Sequence, residues 1–231
     1  MHAHVAYKTN IFWLFFREQE TFINAMGERT VFGGYDTPLA QPYTHLCTNG
    51  TDSFTAYIVK APRLLIDAPL FKPFLMSLDQ GPGVVLVANW GPFYLPDDQL
   101  REGMRDFAMW VNTTLTNTTF IFRSANMAHF NCDEHLVPDN NWTLDAADEP
   151  EHPEWHWGHF PGQSQRVVRP ELLKGQFYLD ILPLSRKRPD AHPGQGDCLH
   201  YCLPGPMDTW VILLMALIQR VYSCGATTDY N

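Results

Sequence analysis

Two residues whose chemistry suits proton transfer, Asp197 and His200, stand three positions apart in the string D-C-L-H-Y-C. This spacing puts a carboxylate and an imidazole on one side of a tight turn or of a first helical turn. The carboxylate can then orient the ring and balance its charge, which is the acid and base half of a nucleophilic triad. A helix entry with a capping carboxylate and an incidental histidine has the same spacing, and for an isolated D-x-x-H it is the commoner case.

The elements that must position this pair are those of an α/β protein. Val84–Ala88 is an unbroken apolar and β-branched run, typical of a strand buried on both faces, and Thr119–Arg123 and Gln176–Ile181 are similar runs. Between the first two, Pro96–Thr113 has apolar residues at helical spacing. Strand, helix and strand in that order predict a parallel sheet with right-handed crossovers. Active sites of such sheets lie beyond the carboxyl ends of the strands, where Asn89 falls.

A last helix is predicted to run from Asp208, as its N-cap, to about Tyr222. Its apolar stretch, Trp210–Ile218, is too short to span a membrane, and Ile11–Phe16 is shorter still. With 231 residues, 45% of them hydrophobic, the chain is long enough for one sizeable core, so we expect a single domain over residues 1–231. The net charge of -9 argues against a nucleic-acid partner or an anionic membrane surface, because both need clustered Lys and Arg.

Two features indicate passage through the secretory pathway. Five cysteines are consistent with disulfides formed in an oxidising lumen, and their odd number leaves one without a partner in this sequence. Acceptor sequons for N-glycosylation, each with Thr two residues after the asparagine, occur at Asn49, Asn112, Asn117 and Asn141.

Two aromatic or histidine-rich segments have more than one interpretation. His152, His156 and His159 have a spacing that suits zinc on a helix, but the prolines interleaved with them disfavour a helix, so we expect no metal there. A carbohydrate-facing aromatic loop and an ordinary surface loop remain open for that segment. Trp90 and Tyr94, which follow Asn89, could stack on a sugar ring or pack in the core.

The longer string around the pair carries a resemblance to a known family. D-C-L-H-Y-C-L-P-G-P-M-D-T-W, at Asp197–Trp210, closely resembles the D-C-x-H-W-C-L-P-G-x-x-D-T-W signature of the plant trichome birefringence-like polysaccharide O-acetyltransferases. These are members of the PC-esterase family within the SGNH/GDSL superfamily. Further stretches that are similar to family motifs, in the family's order, are Val84–Tyr94, Thr119–His129, Phe177–His192 and, weakly, Val5–Phe16.

The resemblance implies a three-layer, SGNH-hydrolase-like α/β domain with a central parallel sheet. The family's nucleophile is the serine of a Gly-Asp-Ser near the start of the domain, whereas the only Gly-Asp here, Gly196-Asp197, is followed by Cys198. We therefore expect an N-terminally incomplete acetyltransferase whose sheet lacks its first strand, with a relative that has lost catalysis as the other interpretation. A membrane anchor of the kind typical of the family would lie upstream of Met1.

The resemblance also assigns candidate roles to individual residues. His200 would be the general base and Asp197 its orienting partner. Asn89 resembles the family's oxyanion donor, with an Asx turn that closes the strand as the alternative. Asp190 and His192, in R-P-D-A-H, would support the loop before Asp197 or contact the substrate.

Three cysteines near the pair are candidates for disulfides. We expect Cys198 to pair with Cys132, which would fix the turn that holds His200. Cys202 would pair with Cys47 or with a cysteine outside this sequence.

The implied function is transfer of an acetyl group from a donor co-substrate to a hydroxyl of a cell-wall polysaccharide in the Golgi lumen, with no cofactor. The mechanism would be that of a Ser-His-Asp acyl-enzyme. Water as the acceptor would make the same machinery an acetyl esterase. A noncatalytic glycan-binding or accessory domain that retains the fold is the remaining alternative.

Overall fold

The chain divides into two compact units. The first consists of residues 1–123 and 163–178, and the second of residues 124–162 and 179–231. The second unit contains Asp197 and His200. The computed structural model describes residues 9–15, 21–23, 29–31, 43–46, 53–60, 71–79, 83–90, 95–142 and 156–224.

A mixed, mainly parallel sheet organises the strands. Their bounds are β1 Thr9–Phe15, β2 Thr21–Ile23, β3 Arg29–Val31, β4 Tyr43–Leu46, β5 Ser53–Lys60, β6 Val84–Asn89, β7 Thr118–Arg123 and β8 Phe177–Leu179. The larger sheet has the order β4-β5-β1-β6-β7-β8. β1 pairs in parallel with β5 and with β6, and β6 pairs in parallel with β7, whereas β4 is antiparallel to β5. The predicted α/β class with a central parallel sheet is confirmed.

β1 lies within Val5–Phe16, the stretch that weakly resembles a family motif, and it is placed between β5 and β6 in the sheet. β2 and β3 form a separate antiparallel pair. That the sheet lacks a first strand stays a prediction.

The strand predicted at Val84–Ala88 is β6, and all six of its residues are buried. An unbroken apolar run predicts this burial, because a central parallel strand is covered on both faces. The only polar residue of β6 is its last, Asn89.

The helices are α1 Phe71–Leu78, α2 Asp97–Thr114, α3 Phe160–Gln163, α4 Leu182–Ser185 and α5 Pro206–Cys224. In α2, the side chains at the predicted helical spacing, Leu100, Met104, Phe107 and Val111, are all buried, so the helix prediction is confirmed. Phe107 meets Phe120 of β7 edge to face, with ring centroids 5.4 Å apart.

Polar contacts hold the 163–178 segment to α2 within the first unit. Asp97 accepts hydrogen bonds from the side chains of Gln163, at 2.8 Å, and Arg166, at 3.1 and 3.2 Å. The bond from Gln163 lowers the pKa of Asp97 more than partial burial raises it, and Arg166 lowers it further.

β8 is shorter than the predicted strand Gln176–Ile181, and Asp180 follows its last residue. Its carboxylate accepts from Ser124 Oγ at 3.1 Å and from the backbone N–H of Leu182 at 3.2 Å. The second bond supplies an acceptor to an N–H at the start of α4, a group that lacks an intrahelical partner.

α5 begins at Pro206, two residues before the predicted N-cap, so the assignment of Asp208 as the N-cap was wrong. Asp208 lies in the first turn, and its carboxylate reaches back to accept the backbone N–H of Gly205 at 2.7 Å. This is the reciprocal half of a capping box. Among the residues described above, no helix is long and apolar enough to cross a membrane.

Candidate active site

The candidate site is built on a turn, residues 194–200, which we call the Asp197 turn. Asp197 Oδ1 accepts the backbone N–H groups of Leu199, at 3.3 Å, and of His200, at 3.1 Å. Both carboxylate oxygens of Asp197 lie 2.9 Å from His200 Nδ1. The three-residue spacing therefore gives the predicted contact, because a single carboxylate binds the backbone and the ring of the same residue.

The electrostatics of this contact fix which ring nitrogen can act as a base. Partial burial raises the pKa of Asp197, but the hydrogen bonds from the backbone and ring of His200 and from the backbone of Leu199 outweigh it and leave the pKa below its ordinary value. The ionised carboxylate can only accept, so His200 Nδ1 carries the proton between them. His200 Nε2 is then the basic nitrogen, as in a nucleophilic triad.

The pair is open to solvent. The side chains of His200 and Asp197 are 40% and 43% exposed. A reacting hydroxyl can therefore reach the imidazole without displacing core residues.

A disulfide joins the Asp197 turn to the segment that follows β7. Cys132 and Cys198 are bonded, with Cα atoms 5.4 Å apart, so the predicted pairing is confirmed. Backbone bonds reinforce it, since the N–H of His129 donates to the carbonyl of Cys198 at 2.9 Å. The two cysteines belong to a buried cluster of the second unit whose other members are Ala125, Met127, Ala128, Trp142 and Trp157.

Asp133 holds the other end of the Asp197 turn. Its carboxylate accepts the backbone N–H groups of Gln195, at 2.7 Å, and Gly196, at 3.3 Å. Gly194 has φ of +72°, a conformation that favours glycine, and a Cβ there would meet Asp133 Oδ1. Sequence reasoning missed Asp133, because nothing in its neighbourhood marks a residue that bonds a turn 62 positions away.

The residues of R-P-D-A-H, at positions 188–192, make a second set of contacts that is more buried than the pair of Asp197 and His200. Asp190 makes a bidentate ion pair with Arg188, at 2.8 and 3.0 Å. His192 is buried, and its Nδ1 contacts the backbone carbonyl of His200. His192 thus connects the loop before Asp197 to the main chain of His200, and substrate contact by Asp190 or His192 stays a prediction.

His129 is a further residue of the site that sequence reasoning did not single out. It is fully buried, its Nδ1 lies 2.6 Å from His192 Nε2, and its Nε2 lies 3.0 Å from the carbonyl of Arg186. Tyr201 packs over His192 with ring centroids 4.3 Å apart and donates its hydroxyl to the carbonyl of Met127 at 2.8 Å. The available signal was the position of His129 at the end of Thr119–His129, a stretch that begins in β7 and is similar to a family motif.

With this geometry in place, comparison with known proteins identifies the family. A family model described as PC-Esterase, a GDSL/SGNH-like acyl-esterase family found in Pmr5 and Cas1p, matches residues 94–217. The matched region is more than half of the chain and contains Asp197 and His200. The chain belongs to the PC-esterase family.

Relatives with curated names are similar over parts of the chain. Xyloglucan O-acetyltransferase 4 of Populus trichocarpa is 42% identical over 81 residues, which cover 29% of this chain and 19% of that protein. Protein trichome birefringence-like 38 of Arabidopsis thaliana is 32% identical over 131 residues, which cover 52% of this chain and 34% of that protein. The matched regions thus span about a third or less of these relatives. Among solved structures, a GDSL-like lipase from Parabacteroides merdae is 10% identical with a TM-score of 0.48, covering 94% of this chain and 97% of its own.

The remaining candidate residues of this PC-esterase family member lie in several places. Asn89 ends β6 in the first unit and Trp90 follows it. Both are buried, and Trp90 belongs to the hydrophobic core there. Their roles toward an oxyanion and a sugar stay predictions. Tyr94 lies outside the described residues.

Cys202 is exposed and forms no disulfide within the described ranges, and Cys47, its candidate partner, lies outside them. His156 and His159 face each other with ring centroids 5.8 Å apart, while His152 lies outside the described residues. Asn112, Asn117 and Asn141 are exposed sequon positions, and Asn49 lies outside the described part of the chain.

Proposed function

We propose that this chain supplies the general base and its orienting carboxylate to a polysaccharide O-acetyltransferase that works through a Ser-His-Asp acyl-enzyme. The observation that carries the proposal is the contact of His200 Nδ1 with both carboxylate oxygens of Asp197, which makes Nε2 the proton acceptor. Membership of an acyl-esterase family and the names of the xyloglucan O-acetyltransferase relatives support the reaction class.

The reaction would proceed in two steps, acetylation of the serine and transfer of the acetyl group to the acceptor. His200 Nε2 takes the proton of a serine hydroxyl while the serine oxygen attacks the acetyl carbonyl of the donor. The protonated ring then gives this proton to the leaving group of the donor. A polysaccharide hydroxyl next gives its proton to Nε2 and attacks the acetyl-serine carbonyl. The bond from that carbonyl to the serine oxygen breaks, and the protonated ring gives the proton to the serine oxygen, which restores the serine. Asp197 holds the ring tautomer throughout, and Asn89 is our candidate for a donor to the tetrahedral oxyanion.

The serine of this scheme is the element that the printed sequence does not offer, because it contains no Gly-Asp-Ser. We propose that the nucleophile is the serine of a Gly-Asp-Ser block of the kind found in the family. The acceptor would be a cell-wall polysaccharide, the acetyl donor a co-substrate, and the location the lumen of the Golgi. The exposed sequons and the disulfide fit an oxidising, glycosylating compartment.

The test is a fusion of the Gly-Asp-Ser block of a family member to the amino terminus of the full chain. The fusion should transfer acetyl groups from an activated acetyl ester to xyloglucan oligosaccharides. Asp197→Asn should lower kcat by about 10⁴-fold, because the ring then loses the partner that fixes its tautomer. His135→Gln serves as the matched control, since this histidine packs against Trp142, outside the Asp197 turn.

The absence of the serine block also favours a second candidate, a noncatalytic glycan-binding or accessory domain. Under that function the unfused chain binds xylan, pectin or xyloglucan oligomers, and the fusion transfers no acetyl group. His200→Gln then changes neither property. An esterase is distinguished by release of acetate to water at the same rate with and without the oligosaccharide.

A further inference from the structure

The contact between the rings of His129 and His192 poses a problem of proton counting. His129 Nε2 faces the carbonyl of Arg186, and His192 Nδ1 faces the carbonyl of His200. A carbonyl oxygen can only accept, so each of these nitrogens needs a proton. The two remaining nitrogens face each other at 2.6 Å, and a hydrogen bond at that distance needs a third proton.

Two neutral imidazoles carry only two N–H protons between them. The neutral pair can therefore complete two of its three contacts. If His192 donates from Nε2 to His129, its Nδ1 has no proton for the carbonyl of His200. If His192 keeps the proton on Nδ1, either the contact between the rings or the contact of His129 with Arg186 loses its proton.

We propose that His192 is a positioning residue for His200, and that one proton shared with His129 determines whether His192 holds the His200 main chain. When the pair binds this proton, all three contacts are complete and run without a break from the carbonyl of Arg186 to that of His200. When the pair is neutral, the contacts compete for two protons. The importance of this inference for catalysis rests on the proposed role of His200. The proton chemistry of the pair does not depend on that role.

The surroundings determine how tightly the pair binds the proton. Burial lowers the pKa of both rings to about 4, and the contacts with the two carbonyls oppose this effect. Among nearby charges, Asp190 favours the cation at both rings and Asp197 favours it at His192, whereas His135 opposes it at His129 and His200 opposes it at His192.

The other groups against the pair do not supply a competing proton. Asp190 is already paired with Arg188. Tyr201, whose ring covers His192, stays neutral because burial raises its pKa. The guanidinium of Arg186 donates to the carbonyl of Trp142.

The experiment is a pH titration of the unfused chain by nuclear magnetic resonance of the histidine ring nitrogens. We expect His129 and His192 to change together in one step, well below the ordinary histidine pKa near 6.5, with uptake of one proton by the pair. The amide of Tyr201, which follows the His200 carbonyl in the chain, should shift in the same step. Separate titrations near 6.5, or a Tyr201 amide that is insensitive to the step, would overturn the inference.

Two variants separate this role from a merely structural one. His129→Gln can donate an amide proton to His192 Nε2, which removes the competition, so the step at the Tyr201 amide should disappear. His135→Gln changes the other histidine that packs on Trp142 and should keep the step, moved to higher pH because a charge that opposes the cation at His129 is removed. A step that survives in His129→Gln would contradict a shared proton, and the wild-type titration decides the question if that variant does not fold.

The outcome is independent of acetyl transfer. If the fusion protein fails to transfer acetyl groups, the titration still tests the shared proton. If the fusion is active while the two rings titrate separately, only this inference is lost.

Discussion

Opening the Cys132–Cys198 bond should destabilise the chain by about 4 kcal/mol. The two cysteines are 66 residues apart in the sequence. In the chain-entropy description, closing a loop of that length lowers the conformational entropy of the unfolded chain by roughly 15 cal/mol/K. This corresponds to about 4 kcal/mol at 25 °C. Because the bond also secures the Asp197 turn, we expect its loss to loosen the contact of His200 with Asp197.

The assay is urea unfolding with and without a phosphine reductant, followed by circular dichroism and tryptophan fluorescence. A Cys202→Ser background removes the exposed thiol that could exchange with the bond. With an m-value of about 2 kcal/mol/M, the midpoint should fall by roughly 2 M urea. The paired change of Cys132 and Cys198 to Ala should give a similar fall. A loss below about 1 kcal/mol after complete reduction, verified by thiol counting, would refute the reasoning.

Three further predictions concern the core, the Asp197 turn and pH. Phe107→Ala should lower the free energy of unfolding by about 3–5 kcal/mol, because the ring is buried against Phe120. Met109→Ala, on the exposed side of the same helix, should change it by less than about 0.5 kcal/mol, and equal losses in urea unfolding would contradict the assignment of the buried face. Asp133→Asn should lower the free energy of unfolding by about 1–2 kcal/mol and speed hydrogen exchange at the two amides that Asp133 binds. Unchanged exchange would show that Asp133 does not hold the turn. Stability should fall as pH decreases from about 6.5 to about 4, by at least about 3 kcal/mol for the pair, because the unfolded chain binds protons that burial denies to His129 and His192. Urea midpoints measured across this range test the last prediction, and a flat profile would contradict it.

Features with a local cause could be predicted from the sequence. The period of apolar residues in α2 and the unbroken apolar run of β6 each follow from burial of one helix face or of both strand faces. The contact of Asp197 with His200 follows from a spacing of three residues. The start of α5 was misplaced because an aspartate suits both the N-cap and the third position of a helix. At either position its carboxylate accepts a backbone N–H, and the sequence does not show which position Asp208 takes.

Features with a long-range cause could not be predicted in the same way. Asp133 binds backbone groups 62 and 63 positions away, and His129 meets His192 across 63 positions. The sequence does not show which residues these side chains contact, since the contacts depend on how the segment after β7 folds against the Asp197 turn. The shared proton of the two histidines is visible only when all four ring nitrogens are placed.

The most direct test of the catalytic proposal is the rate of acetylation of the serine in the fused protein, measured in a single turnover with an activated acetyl ester. We expect His200→Gln to slow this first step by at least about 10³-fold, because no other group then takes the proton from the hydroxyl. His135→Gln should leave the rate unchanged. An acetylation rate in His200→Gln equal to that of the unchanged fusion would contradict the assignment of His200 as the base.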